Sequence, residues 1–296
     1  MLSVLIPTYN YNVQELVVNI HKQLIANAID FEIIIFEDGS NSNINSNILL
    51  SHTICIVNVD NIGRVKARQS LAKIAKYDWL LFLDADVLPK YNTHIEQFLK
   101  NIGNNEYHAI FGGFAYYKSK PKDDYLLRWT YGRSKEQVPA SKRNKTPYKV
   151  IISANFLIKK TVFLHITSLL TKPKGYGFDN YLGALLKQKK INVLHIDNEV
   201  YHLGIEKSSV FIDKTEQAAK TLLKLHRSEH KDNYQNDWLN LFIKLKKYRI
   251  TKVFSVFYKW FGKPLKNNLL GKNPSITVFQ LYKISYICHL NNKITV

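Results

Sequence analysis

The apolar positions of the chain follow two periods that alternate through its first hundred residues. The runs "SVLIPT" (3–8), "FEIIIFEDGS" (31–40), "TICIVNV" (53–59) and "DWLLFLDAD" (78–86) are short, rich in β-branched and aromatic residues and bounded by turn formers. They read as strands buried on both faces. Between them, "VQELVVNIHKQLIANA" (13–28), "VKARQSLAKIA" (65–75) and "NTHIEQFLKNI" (92–102) place apolar residues three and four apart, the spacing of amphipathic helices. This alternation predicts a mainly parallel sheet sandwiched by helices. Ligands of such sheets bind beyond the carboxyl ends of the strands. Two acidic clusters fall at such ends: Glu37-Asp38 and Asp84-Ala85-Asp86. In extended backbone the carboxylates of Asp84 and Asp86 would share a face and repel each other unless a cation lay between them.

The second hundred residues are less regular. "AIFGGFAYY" (109–117), "KVIISANFLIKK" (149–160) and "INVLHIDNEVYHLG" (191–204) read as strands, and "GYGFDNYLGALLKQKK" (175–190) as a glycine-rich turn opening a helix. Residues 123–148 begin as a helix with Leu126, Leu127 and Trp129. They end in a basic segment, 133–147, expected to be a mobile loop. A helix follows over 210–230, then a tail that interleaves Trp238, Phe242, Phe254, Phe257, Trp260 and Phe261 with lysines. The expected division is a domain of residues 1–230, with halves of about 1–110 and 111–230, and a helical extension, 231–296. There is no internal repeat.

Composition narrows the class. Of 296 residues 46% are hydrophobic and 12% aromatic, a folded chain rather than a disordered one. Cys55 and Cys288 lie far apart in apolar runs and read as buried thiols of a reducing compartment, not as a disulfide framework. The N-terminus lacks the basic start and apolar core of a signal peptide, and no window is apolar enough to span a bilayer. The expected location is the cytoplasm, with peripheral attachment to the inner face of the cell membrane.

The formal net charge of +19 invites nucleic acid, anionic lipid or a phosphorylated substrate. From His230 onward twelve Lys or Arg face only Asp232 and Asp237, so this tail holds +10 of the +19. Basic residues interleaved with aromatics suit an anionic membrane surface, the rings buried and the lysines on phosphates. A nucleic-acid-binding protein is the competing reading. It leaves the acidic strand ends unexplained, because they would repel phosphates.

Asp84 and Asp86 after a buried strand suit a hard cation, Mg²⁺ or Mn²⁺, that takes its other ligands from phosphate and water. The plainer alternative is a solvated strand end. Glu37-Asp38-Gly39-Ser40 can accept hydrogen bonds from a base or ribose, or can be an ordinary Asp-Gly turn. Asn61-Ile62-Gly63-Arg64 precedes the helix containing Arg68, and a helix N-terminus with an arginine suits a diphosphate. Neither G-x-G-x-x-G nor G-x-x-x-x-G-K-[ST] occurs, which removes the main support for dinucleotide and P-loop readings. A nucleotidyltransferase would need a glycine-rich basic loop after its first strand, where this chain has "PTYNYNV".

Taken in order, "VLIPTYN", "FEDGS", "NIGRVKARQ", "FLDADVLP", "GYGFDN" and the histidine of "YHLG" resemble the inverting family 2 glycosyltransferases of the GT-A fold, over roughly residues 2–205. "LLRWTYGRSK" and "SANFLIKK" resemble a bacterial subgroup. The resemblance implies transfer of a sugar from a nucleoside-diphosphate donor, most often a UDP-sugar, to a hydroxyl of a saccharide acceptor in cell-surface polysaccharide synthesis. With the basic tail, the acceptor is expected to be lipid-linked. In the donor site Pro7, Thr8 and Tyr9 would line the nucleotide pocket, Asp38 would bind uracil or ribose, and Glu37 stands where the family usually has an aspartate. Asn61, Arg64 and Arg68 would flank the nucleotide, and Asp84 and Ala85 would face ribose or sugar. Asp86 and His202 would ligate Mn²⁺ or Mg²⁺.

Asp179 would be the general base. The family usually shows Glu-Asp where this chain has Asp179-Asn180, and if Asn180 occupies the base position the chain has lost its base there. A catalytically impaired sugar-nucleotide binder is therefore a further alternative. Trp129, Tyr131, Asn155, Tyr176, Gly177 and Asn180 would lie on the acceptor side.

Overall fold

The computed structural model describes residues 1–42, 44–103, 106–169, 178–227 and 237–294. In chain order the elements are β1 (Leu2–Thr8), α1 (Gln14–Ala26), β2 (Phe31–Asp38), β3 (Thr53–Asn58), α2 (Arg64–Ile74), β4 (Trp79–Leu83), β5 (Val87–Pro89) and α3 (His94–Leu99). They continue through β6 (Ala109–Phe111), β7 (Phe114–Ala115), α4 (Leu126–Tyr131), α5 (Ala140–Arg143), β8 (Asn155–Lys159), α6 (Lys160–Ser168), α7 (Phe178–Gln188), β9 (Val193–His195) and β10 (Val200–His202). The helices α8 (Ser208–Arg227), α9 (Asp237–Lys247), α10 (Thr251–Leu270) and α11 (Ile276–Ile294) complete the described chain.

Two compact units result: residues 1–116, 136–174 and 181–204 in the first, and 117–135, 175–180 and 205–296 in the second. In the first, the strand order β3-β2-β1-β4-β8-β6-β9 makes one sheet, and β5-β10-β7 a second, smaller one. Pairings β1–β2, β1–β4, β2–β3 and β6–β9 are parallel, whereas β8 runs antiparallel to both its neighbours. The expected mainly parallel sheet is present, with β8 as its reversed strand.

Period-2 alternation sorts the side chains. Val4, Ile6, Ile33, Ile35, Leu81 and Leu83 pack against Leu16, Val17, Ile20 and Leu24 of α1. On the reverse, Phe82 stacks on Phe156 at 5.0 Å and lies 4.5 Å from Phe163 of α6, while Phe111 stacks on Phe156 at 5.4 Å. Rings at these separations add to the burial that closes this layer.

Several long strand-like runs break where the chain must change sheet. Residues 78–86 stop pairing as β4 at Leu83 and restart as β5. Residues 109–117 divide at Gly112-Gly113 into β6 and β7, and 191–204 divide into β9 and β10. Helix α6 has no counterpart in the sequence reading, because its apolar residues continue the run of β8.

The basic segment 133–147 is not an open loop. It forms a π-helical turn, Gly132–Glu136, and α5. The buried Arg143 ties it down by donating to the carbonyls of Val138 (2.9 Å), Phe111 (3.1 Å) and Ile196 (2.8 Å), and to Nδ1 of His195 (2.8 Å). Burial lowers its guanidinium to about 10, opposed by Asp197 and Glu199. The sequence showed only the charge of this segment, and three of the partners of Arg143, Phe111, His195 and Ile196, are 32–53 residues away.

The second unit is helical. Leu127 of α4, Phe211 and Ile212 of α8, Leu269 of α10 and Phe279 and Tyr282 of α11 form one of its clusters. Leu239, Phe242, Ile284 and Ile287 belong to another. No helix among the described residues is long and apolar enough to cross a membrane.

Candidate functional site

Parallel pairing brings the carboxyl ends of β1, β2 and β4 to one edge of the large sheet, with Thr8 in register with Glu37. Thr8 is buried and donates its hydroxyl to the Tyr11 carbonyl at 3.0 Å, Pro7 is half-buried, and Tyr9 is exposed. Glu37 is buried and accepts from Ser40 Oγ and Asn45 Nδ2, each at 2.5 Å, so it ties both residues to the strand end. Asp38 accepts the backbone N–H groups of Ile62 and Gly63, both at 2.8 Å.

The 60–63 backbone passes directly over Gly39, whose φ is +71° and where a Cβ would lie 2.4 Å from Asn61 N. Only glycine tolerates both conditions. The expected Asp-Gly turn is thus also the seat of the loop that starts α2, and the Asn61 side chain projects outward there.

Helix α2 carries both arginines toward the end of β4. Arg68, with no exposed surface, donates Nη2 to Asp84 Oδ1 (2.6 Å) and to the Ser153 carbonyl (2.5 Å), and Nη1 to Ser153 Oγ (3.1 Å). Its guanidinium also lies 5.7 Å from the centre of the Phe156 ring. Arg64, 47% exposed, pairs with the other oxygen of Asp84. The cations beside Asp84 are therefore these two arginines. Ala85, half-buried, packs against the main core.

Asp86 belongs to different surroundings. Antiparallel pairing of β5 with β10 sets His202 opposite Val87, and Leu203 N donates to the Asp86 carbonyl at 2.8 Å. His202 Nε2 lies 3.3 Å from Asp86 Oδ2. Burial pushes the Asp86 carboxyl up. The hydrogen bond and charge of His202, with Arg64, outweigh this and hold it below the usual carboxylate range. Beneath the carboxylate is Gly204, where a Cβ would stand 1.9 Å from Oδ2. The other ring nitrogen, Nδ1, faces the Tyr116 hydroxyl at 3.3 Å, and that hydroxyl donates to Glu136. When Tyr116 gives its proton to Glu136, Nδ1 must be the donor to the tyrosine oxygen. A protonated ring donates Nε2–H to Asp86, whereas a neutral ring with its proton on Nδ1 turns the Nε2 lone pair toward the carboxylate.

With the ring neutral, two acceptors face each other at this distance, which suits a cation. In an octahedral Mg²⁺ or Mn²⁺ shell, bonds of roughly 2.1 Å at right angles separate neighbouring ligands by about 3 Å. One carboxylate and one imidazole are a fitting protein share for such an ion, with oxygens of a diphosphate and water completing it. Among the described residues no group of three or more His, Cys, Asp or Glu converges on a common point.

The remaining expected residues are dispersed. Trp129 is buried with its indole N–H on the Tyr117 carbonyl at 2.9 Å, and Tyr131 packs edge-on to Phe279 at 5.6 Å, both inside the helical unit. Asn155 is fully buried and gives its amide hydrogens to the carbonyls of Gly113 (3.2 Å) and Asn198 (2.8 Å), where it joins the two sheets and does not reach solvent. Tyr176 and Gly177 lie outside the described residues. Asp179 and Asn180 lie in the first turn of α7, and their side chains are outside the described set as well. Sequence reasoning did not find Tyr116, Glu136 or Ser153. Gly204 carried a signal in its place two residues after His202.

No curated protein is significantly similar to the chain in sequence. Among solved structures, glucosyl-3-phosphoglycerate synthase from Mycobacterium tuberculosis, in a crystal with Mn²⁺, UDP-glucose and phosphoglyceric acid, superposes with a TM-score of 0.50 at 10% identity. The match covers 77% of this chain and 81% of the synthase. A second mycobacterial protein superposes with the same TM-score, also at 10% identity, over 75% of this chain and 73% of its own. TarS of S. aureus (residues 1–349) matches 100% of this chain and 92% of its own at 14% identity with a TM-score of 0.49, too loose to carry an inference. The two mycobacterial likenesses support the fold. The model of the family described as "Glycosyl transferase family 2" matches residues 3–167, more than half of the chain and all of the strand-end machinery from Thr8 to Asp86. On this match, with the sheet order and its helical extension, the chain belongs to glycosyl transferase family 2 and has the GT-A fold.

Proposed function

We propose that the protein transfers a sugar, with inversion, from a nucleoside-diphosphate donor to a saccharide hydroxyl. The observation that carries this reading is the approach of Asp86 and His202 to 3.3 Å above Gly204, beside Asp84, on the carboxyl edge of a family 2 domain. Asp86 and His202 would hold Mn²⁺ or Mg²⁺, and when bound such an ion neutralises the charge that builds on the departing diphosphate. Thr8, Tyr9, Asp38 and Asn61 would border the base and ribose. Arg64, half-exposed, is able to turn from Asp84 to a phosphate, leaving Arg68 to hold Asp84 toward ribose or sugar. Asp179 would take the proton from the attacking hydroxyl. Attack on the face opposite the leaving group inverts the anomeric centre.

Uridine diphosphate and Mn²⁺ are the first choices to test, since family 2 enzymes commonly use UDP-sugars and the mycobacterial synthase was crystallised with both Mn²⁺ and UDP-glucose. The acceptor would be a lipid-linked saccharide met at the inner face of the cell membrane during cell-surface polysaccharide synthesis, a reading supported by the basic, aromatic tail. Asn180 beside Asp179 favours a second reading, a sugar-nucleotide binder without turnover.

The test is a thermal-shift screen of UDP, GDP and dTDP with and without Mn²⁺, on wild type and Asp86→Ala, followed by assay of free diphosphate released from the matching sugar nucleotide. Metal-dependent stabilisation by one nucleotide, absent in the variant, with diphosphate release supports the transferase. Stabilisation without release across saccharide acceptors supports the binder. No response to any nucleotide overturns both.

A further inference from the structure

Helix α10 has two apolar faces, and among the described residues only one is buried. Ser255, Gly262 and Leu269, seven residues apart, form the buried seam, with Tyr258 packed edge-on to Tyr282 and Tyr286 of α11. On the opposite side Val253, Val256, Phe257, Trp260, Phe261 and Pro264 fall at i, i+3, i+4, i+7, i+8 and i+11, a second continuous stripe. Trp260 is 75% exposed and Val253 64%, Val256 and Phe261 are also open to solvent, and Phe257 stacks on Phe261 at 4.9 Å. Lys252, Lys259 and Lys263, all exposed, run along one edge of this stripe. Tyr248 and Arg249 adjoin it in the exposed turn before α10. From Trp238 to the end of the chain there are eleven Lys or Arg and no acid at all.

Contiguous exposed apolar surface of this kind marks an interaction site. The charge decides what fits. A second copy of this chain would bring eleven like charges against eleven, with no acidic side chain from Trp238 onward to pair them. A nucleic acid would satisfy the lysines but has little use for Val253 and Val256 between them. An anionic bilayer meets both demands, with phosphates for the lysines and, at the headgroup boundary, an apolar layer that takes tryptophan and aliphatic side chains.

We propose that this face of α10 docks on anionic membrane lipid, with Trp260 and Phe261 entering the headgroup region and Lys252, Lys259 and Lys263 on phosphates. The proposal rests on the reading of a membrane-borne acceptor and adds the surface that would keep the enzyme beside it.

The test is sedimentation of the full chain with vesicles of phosphatidylglycerol and phosphatidylcholine, or of phosphatidylcholine alone, all free of any saccharide lipid. Wild type is compared with Trp260→Ser/Phe261→Ser and with Lys252→Gln/Lys259→Gln/Lys263→Gln. Expected are binding to the anionic vesicles only and a loss of at least about tenfold in the aromatic variant. At about fivefold per lysine, the lysine variant loses on the order of 100-fold. Equal binding by all three proteins, or none to either vesicle, overturns the proposal. So does salt-sensitive binding to a single-stranded RNA without vesicle binding, which assigns the face to nucleic acid. The substituted side chains point away from the core, so circular dichroism should be unchanged. The nucleotide thermal shift, measured on the same variants, separates failure of docking from failure of the transferase reading.

Discussion

Replacing Arg68 with methionine tests whether the end of β4 is built around an ion pair. The guanidinium is wholly buried, Asp84 has 16% of its side chain exposed, and Ser153 receives two further bonds from the same group. Removing one partner of a buried pair costs about 3–5 kcal/mol, because the other charge loses its compensation. Here Arg64 remains on Asp84, which places the expected loss near the lower bound, about 3 kcal/mol. At roughly 2–4 °C per kcal/mol for a chain of this size, calorimetry should show a melting transition lowered by roughly 10 °C. Arg64→Met, at a half-exposed position, should cost less than about 1 kcal/mol. Asp84→Asn alone should also destabilise, since it leaves Arg68 buried without its carboxylate. In the double variant Arg68→Met/Asp84→Asn the stranded charges are gone, so its loss should be smaller than the sum of the two. A melting point within 2 °C of wild type for Arg68→Met, or strict additivity in the double variant, would refute the reasoning.

Gly204→Ala and Tyr116→Phe should each weaken Mn²⁺ binding about 10- to 100-fold, read by electron paramagnetic resonance of the free ion, with melting changed by only a few degrees. The first displaces the Asp86 carboxylate and the second releases His202 Nδ1 from its bridge to Glu136; unchanged Mn²⁺ affinity in both would remove the metal assignment. Burial lowers His94 to about 3, and His195 to about 4 with a further push from Arg143. Between those values and about 6.5 the unfolded chain binds protons that the native state refuses. Stability should be full above about pH 6.5 and fall on acidification by about 1.4 kcal/mol per pH unit for each histidine. Melting curves from pH 7.5 to 4.5 check this, and His94→Leu should remove roughly half of the slope; a flat wild-type profile would contradict it. Arg143→Met should leave the carbonyls of Val138, Phe111 and Ile196 short of a donor and loosen the backbone around the exposed Lys142, Lys145 and Lys149, so that trypsin cuts there faster than in wild type. Cleavage at the same rate in both proteins would mean that the segment was already open.

What the sequence made legible was local. Strands β1 to β4 and helices α1 and α2 follow from apolar period alone, because each is a single unbroken run, although β3, at the edge of the sheet, leaves Ile54 and Val57 exposed. Legibility ends where one run serves two elements. Nothing in "AIFGGFAYY" separates β6 from β7 except the Gly112-Gly113 pair, and in "NFLIKK" the last strand residue and the first helical residue are both lysine. Tertiary packing makes those divisions, and so does the folding of 133–147. Its lysines and serines read as solvated loop, and only the position of His195 and of the distant Phe111 and Ile196 carbonyls shows that Arg143 is a core residue.

The pair Asp84 and Asp86 shows the same boundary within the site. Two aspartates with one residue between them look equivalent, and in continuous strand they would share a face and need one common cation. The strand does not continue. Asp84 N–H still bonds to the Ala154 carbonyl at 3.0 Å as a last rung of the large sheet, whereas the Asp86 carbonyl accepts Leu203 N–H as part of the small one. The change of sheet at Ala85 divides their tasks. Asp84 is held in place by arginines from α2, and Asp86 meets a histidine from β10, more than a hundred residues away in sequence. A motif of three residues thus acquires two partners because two sheets meet at its centre. Asp84→Asn and Asp86→Asn should therefore differ in kind, the first read mainly in melting temperature and the second in Mn²⁺ affinity.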